Sequence, residues 1–229
     1  EEYNCKDWED IYVPAHIQME GYDAPQYANV QYPWEGHEEI HPGEIPTHFN
    51  PTASYVKYFT VPEQMQGKRL FISFQGAESG LALWLNGKFV GYSEDSFTPS
   101  EFELTEYVKE GENKLAAQVF KWTASSWCED QDFYRFSGIY RDVYLYTVPE
   151  VHVNDLRIRA IPDASLASAD FELTTKTWGS GQLKVILSKD GETVLEDVKE
   201  ISDEDTFSWK VDAPVLWSAE DPQLYDLEL

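Results

Sequence analysis

Within Ser125–Tyr146, read SSWCEDQDFYRFSGIYRDVYLY, four carboxylates (Glu129, Asp130, Asp132, Asp142) and two arginines (Arg135, Arg141) stand among aromatic residues. Carboxylates so close could serve as acid and base. A glycosidase uses two of them, about 5 to 9 Å apart across the scissile bond. On a strand, Asp130 and Asp132 would share a face at roughly 6 to 7 Å between Cα atoms, so the spacing is permissible. Both would nevertheless project from one wall, whereas the reaction needs them on opposing sides of the sugar. That counts against a self-contained hydrolase. The plainer chemistry is ionic, with Glu129, Asp130 and Asp132 pairing with Arg135 and Arg141 to brace a strand junction. The run lacks the spaced acidic ligands, central glycine and distal glutamate of an EF-hand. A lone Asp contributing to a cation site completed by another domain stays open. The histidines (His16, His37, His41, His48, His152) show no metal-ligand spacing, and neither a phosphate loop nor a nucleophile elbow is present.

The elements that must position these residues read as strands. Ile139–Tyr146 alternates, with Ile139, Arg141, Val143 and Leu145 on one side and Tyr140, Asp142, Tyr144 and Tyr146 on the other. Ser137-Gly138 before it supplies a bend that a side chain would obstruct. Further strands are expected at Ser54–Val61, Arg69–Gln75, Leu81–Leu85, Lys88–Tyr92 and Lys114–Trp122, the third and fourth joined by the Asn86-Gly87 hairpin signal. Residues 1–50 carry Pro14, Pro25, Pro33, Pro42 and Pro46, which exclude helix interior and central strand. Their many aromatics predict an ordered segment pressed over a β scaffold. Within it Asn29, between Tyr27 and Tyr32, offers an amide donor and acceptor, with an Asx turn as its ordinary use. These features predict an all-β chain beginning with a jelly-roll β-sandwich over 1–149.

Beyond Pro149 aromatics thin out and Ser, Thr, Asp and Glu rise. Strands are expected at Val151–Ala160, Ala169–Thr177, Gln182–Ser188, Thr193–Ile201 and Thr206–Val211, with Asp190-Gly191 as a tight hairpin and Tyr225, Leu227 and Leu229 alternating at the end. About seven short strands would make an immunoglobulin-like β-sandwich over 150–229. The chain stops inside its last candidate strand, so that sandwich is expected to be truncated and to expose an edge.

With 229 residues there is room for one large or two modest domains. The net charge of −25 repels phosphate backbones and anionic bilayers, so neither nucleic acid nor membrane is an expected partner. A neutral sugar meets no such penalty. No apolar run approaches the ~18 residues of a membrane span. The opening EEYNCKDWED holds no secretory signal, which makes a cytoplasmic protein the first expectation and a cell-surface or secreted one the second. Cys5 and Cys128 are expected to be reduced, packed thiols.

Several co-linear stretches resemble one family. EDQDFYRFSGIYRDVYL (129–145) looks like the signature of family-two glycoside hydrolases, and of their β-galactosidases most. DAPQYANVQYPW (23–34), WLNGKFVGYSEDSFTPSEFELT (84–105), GENKLAAQVFKW (111–122) and LWSAEDPQLYDLEL (216–229) extend the similarity over nearly the whole chain. The resemblance implies a sugar-binding jelly roll, then an immunoglobulin-like domain, then a TIM barrel carrying both catalytic glutamates. No catalytic residue is therefore expected here, and the chain alone is expected to be inactive. Asp132 matches the family's aspartate that contacts the galactosyl unit and helps bind sodium, and Asn29 the loop asparagine lining the same site. The resemblance implies no cofactor in the fragment, with sodium and magnesium in a full-length, homo-oligomeric parent. It also implies that a β-galactoside and the barrel are the partners. A stand-alone carbohydrate-binding module is the alternative reading.

Overall fold

The computed structural model describes residues 4–130 and 132–229. The chain forms two compact units, Glu1–Val148 and Pro149–Leu229. In the first unit the strands are β1 (Gln26–Ala28), β2 (Thr52–Thr60), β3 (Arg69–Phe74), β4 (Ala77–Glu78), β5 (Gly80–Leu85), β6 (Lys88–Ser93), β7 (Ser100–Glu103) and β8 (Glu112–Phe120). The one-turn helix α1 (Ser126–Glu129) precedes β9 (Phe133–Arg135), β10 (Gly138–Ile139) and β11 (Val143–Val148).

Two antiparallel sheets, in the orders β2-β8-β5-β6 and β11-β3-β7, carry the core of this unit. Alternation builds it. Leu81, Leu83 and Leu85 of β5 and Ala117 and Val119 of β8 cluster with Leu70, Ile72 and Phe74 of β3. Residues two apart on a strand share a face, so each sheet presents one apolar side to the other. Asn86 and Gly87 join β5 to β6, both at positive φ as a two-residue hairpin turn requires. This is the expected jelly-roll sandwich.

The expected single strand over 139–146 is instead two. β10 pairs with β4 (Ile139 opposite Ala77), whereas β11 pairs with β3 (Val143 opposite Phe74). Between them the amides of Tyr140 and Arg141 both point to the Gly76 carbonyl, at 3.2 and 3.4 Å, which turns the chain from one partner to the other. Alternation alone cannot report such a change of partner. The bend at Gly138 is as expected: its φ is +115°, and a Cβ there would lie 3.0 Å from the Ala15 carbonyl oxygen. The proline-rich segment is ordered against the sandwich. The amides of Ala15 and Ile17 donate to the carbonyls of Ile139 and Ser137 at 2.9 and 3.0 Å, and Trp34 is fully buried.

The second unit contains β12 (His152–Pro162), β13 (Ser168–Lys189), β14 (Glu192–Asp212) and β15 (Asp226–Glu228). Four expected short strands are here the halves of two long ones. β13 and β14 form one hairpin around Asp190-Gly191, with a register shift between Thr177 and Ser180. Leu173 and Leu183 nonetheless pack in one cluster with Val185, Ile201 and Phe207. Ten residues of straight strand would separate them by about 33 Å. The ribbon is therefore folded over at residues 178–181, and each long strand serves both layers, as strands do when they change sheet at a bulge. β12 flanks the first half of β13 and β15 the second, which gives the immunoglobulin-like sandwich. β12 forms an edge with Leu156 and Ile158 exposed.

The fold-over depends on Gly179, whose φ is +77° and whose Cβ would sit 2.9 Å from a Val151 methyl and 3.1 Å from the Glu150 carbonyl. Gly179→Ala is expected to destabilise this unit by about 2 kcal/mol, through left-handed strain and crowding by backbone. Chemical denaturation followed by Trp178 and Trp209 fluorescence measures it, and an unchanged midpoint would contradict the account of the bend.

Candidate functional site

β1 and β9 are short because prolines and glycines surround them, and they pair antiparallel with Gln26 opposite Arg135, Tyr27 opposite Tyr134 and Ala28 opposite Phe133. Continued by one position, this register would set Asn29 opposite Asp132. The two residues singled out by resemblance thus meet at the end of this ladder, 103 positions apart in the chain. Aromatic packing brings the segments together. Tyr32 and Trp34, just after β1, pack against Trp127 of α1, just before Asp132, with ring centroids 4.6 and 4.8 Å away. The Tyr32 hydroxyl also donates to the Trp127 carbonyl at 2.9 Å.

The hub of the site is Tyr27, which the sequence reading did not select. Its hydroxyl donates to Asp132 Oδ1 at 2.5 Å and is also hydrogen-bonded by the Asn29 side chain. The bond to Asp132 raises the phenol above its ordinary value, burial and the Asp132 charge add to this, and Asn29 opposes it. Asn29 and Asp132 are both exposed. Asp132 has φ of +52°, a left-handed conformation that aspartate tolerates better than most residues. Exposed Tyr134 packs on Tyr27 at 5.0 Å between centroids, and exposed Phe133 meets Phe97 edge to face at 6.2 Å. Tyr27 alternates with Asn29 in the sequence, which was the available signal.

Beneath this surface lies a buried ionic cluster. Asp130 ends α1 with its amide on the Ser126 carbonyl, and its Oδ1 lies 3.1 Å from Arg135 Nη1, both side chains being buried. Asp130 and Asp132 therefore do not share a face: one is buried and ion-paired, the other exposed. The brace expected from Glu129, Asp130, Asp132, Arg135 and Arg141 reduces to the Asp130–Arg135 pair. Arg141 donates instead to the carbonyls of Phe97 at 2.7 Å and Gln75 at 3.3 Å. Glu129 stands near other acids, and burial followed by the charges of Asp130, Asp95 and Glu94 pushes its carboxyl up.

Glu78 of β4, buried and opposite Gly138, is the second carboxylate facing Arg135 and was also missed from sequence. Nothing in its local pattern marks a glutamate on a two-residue strand as buried. Burial first, then the Asp130 charge, pushes it up to about 7 against the pull of Arg135. Asp130 is raised by burial despite Arg135, a hydrogen bond from Ser126 and Lys121. Burial lowers His16, whose Nδ1 lies 4.0 Å from Glu78.

The exposed trio of carboxylate, amide and phenol can grip a polyol by donating and accepting hydrogen bonds, with rings beside it for the apolar face of a sugar. Acid–base or nucleophilic chemistry would need a second carboxylate across a substrate, and Asp130 is engaged with Arg135. Among the described residues no group of three or more His, Cys, Asp or Glu could hold a metal. Cys5 is half-buried and Cys128 exposed. Cys128 departs from the packed thiol expected, because α1 exposes that position. A larger cleft of about 910 Å³ lies elsewhere, lined by apolar core residues such as Tyr55, Phe59, Ile72 and Val143 under Trp8 and Ile11. Glu9, Asp10, Lys57 and Asp142 also line it, and it does not include Asn29 or Asp132.

Residues 2–149 match the family described as glycosyl hydrolases family 2, sugar binding domain, and residues 151–229 match glycosyl hydrolases family 2. A beta-galactosidase of Halalkalibacterium halodurans is 53% identical over 233 residues, covering 99% of this chain and 23% of that protein. A beta-galactosidase large subunit of Leuconostoc lactis is 40% identical over 243 residues, covering 100% of this chain and 39% of that one. A crystallised beta-glycosidase from Bacteroides vulgatus shares the fold, with a TM-score of 0.69 at 24% identity over 99% of this chain and 28% of that chain. The chain thus spans well under half the length of these relatives.

Proposed function

The chain belongs to glycosyl hydrolase family 2, and from that membership we propose that it furnishes one wall of the galactoside pocket of a β-galactosidase. Hydrolysis of terminal β-D-galactosyl residues would be carried out by glutamates of a TIM barrel elsewhere in the parent protein. The observation that carries this reading is the convergence of exposed Asn29 and Asp132 on the Tyr27 hydroxyl. Such a set suits sugar hydroxyls, which both donate and accept. The acidic surroundings (Glu94, Asp95, Glu129) favour a neutral sugar over an anionic one.

Asp132 is also suited to share in holding a sodium ion, being an exposed, hard oxygen ligand. One carboxylate does not fill a coordination sphere, so the other ligands would come from outside this set. A bound cation there would fix the carboxylate and draw in a sugar oxygen.

Purified chain mixed with a chromogenic β-galactoside is expected to release no product; turnover abolished by Asp132→Ala would overturn the placement of the chemistry elsewhere. In an NMR titration, a β-galactoside is expected to perturb Tyr27, Asn29 and Tyr134 with a millimolar midpoint. Asp132→Asn is expected to weaken this by about tenfold or more, the loss of a charge-assisted hydrogen bond of about 1.5–3 kcal/mol. Perturbation confined to other surfaces would remove the site. A micromolar midpoint would favour the stand-alone carbohydrate-binding module.

A further inference from the structure

The buried pair beneath the site has a use that stability does not explain. A buried ion pair is weak evidence for stability, since apolar residues of similar size often serve as well, and its best-attested role is to fix register. Register is what this site needs. Among the described residues the β1–β9 ladder spans three residue pairs. Of the β9 side chains, Phe133 is 40% and Tyr134 62% exposed, while Arg135 is 1% exposed. A slip of one residue would turn Arg135 outward and Tyr134 inward, and would part Asn29 from Asp132.

From this we infer that Arg135 is a positioning residue: its ion pair with Asp130, backed by the charge of Glu78, fixes β9 beneath Asp132 and aims that carboxylate at Tyr27. Asp130 and Arg135 bracket Asp132 in sequence and are joined at 3.1 Å below it. Between them Asp132 is left-handed, a conformation that surrounding structure must hold. The guanidinium also lies 5.2 Å from the centroid of the Phe133 ring, so the residue next to Asp132 rests on the same cation. Glu78, on β4 and outside the ladder, adds its charge to that of Asp130 in holding Arg135. Lysine keeps the charge but not the broad guanidinium plane that lies against Phe133.

The test is Arg135→Lys in the 229-residue chain, read by the Tyr27 ¹³Cζ shift and the Asn29 side-chain amide resonances, with Asp132→Asn as reference. The folded lysine variant is expected to move both signals at least halfway to the reference and to lose the cross-strand NOE between Ala28 and Phe133. Asp130→Asn, which keeps the shape and removes the charge, is expected to do the same and serves if the lysine variant does not fold. A purely structural role would lower the melting temperature and leave these signals in place, and that outcome in either folded variant overturns the inference. Its bearing on sugar binding rests on the function proposed above, and the two fail separately. A wild-type chain with no galactoside response removes the functional reading and leaves the Tyr27 result standing. A response retained in Arg135→Lys, with Tyr27 unmoved, removes the positioning role alone.

Discussion

Arg135→Met is expected to destabilise the Glu1–Val148 unit by about 3–5 kcal/mol near pH 7.5, the usual result of removing one partner from a buried ion pair. Methionine can fill the volume but leaves Asp130 with an unpaired buried carboxylate and Glu78 with only weaker attraction from Lys121. For a unit of this size the melting temperature should fall by roughly 10 °C. Lowering the pH should recover part of the loss, because both carboxyls can then be protonated. A Met variant as stable as wild type at neutral pH would mean that the cluster is open to water.

Glu78→Gln is expected to act in the opposite direction, and only at the alkaline end. The Glu78 carboxyl sits at about 7 in the folded chain against an ordinary 4.5. The folded state therefore holds this proton more tightly than the unfolded state. Its contribution to stability is complete below about pH 4.5 and is lost as the pH rises through 7. Glutamine mimics the protonated form, so the variant should match wild type near pH 4.5 and exceed it by roughly 2–3 kcal/mol at pH 8. The charged or titratable groups around it are Asp130, Arg135, Glu129, Lys121, His16 and Tyr140. His16, lowered by burial, works the other way, favouring the fold as the pH rises through its range. The difference between variant and wild type isolates Glu78 from it to first order. Urea unfolding of both proteins at pH 5 and pH 8 gives the answer, and a difference that does not change with pH would refute the assignment.

Much of the scaffold was legible without coordinates. The alternation of Leu81, Leu83 and Leu85, the Asn86-Gly87 and Asp190-Gly191 turns and the bend at Gly138 are written in stretches of a few residues, because face and turn preference are local properties of the backbone. Asn29 and Asp132 could be named from resemblance. Only the folded chain showed that β1 and β9 bring them together at Tyr27. It also divided the strand expected over 139–146 between two partners and folded a 22-residue strand back over itself. Above all, it gave Asp130 and Asp132 opposite fates, one buried against Arg135 and one held out to solvent, and placed Glu78 beside them. Two residues apart, those aspartates are chemically identical in the sequence. Their roles differ because burial and partnership are set by groups that are remote along the chain, and no local periodicity can encode where such groups arrive.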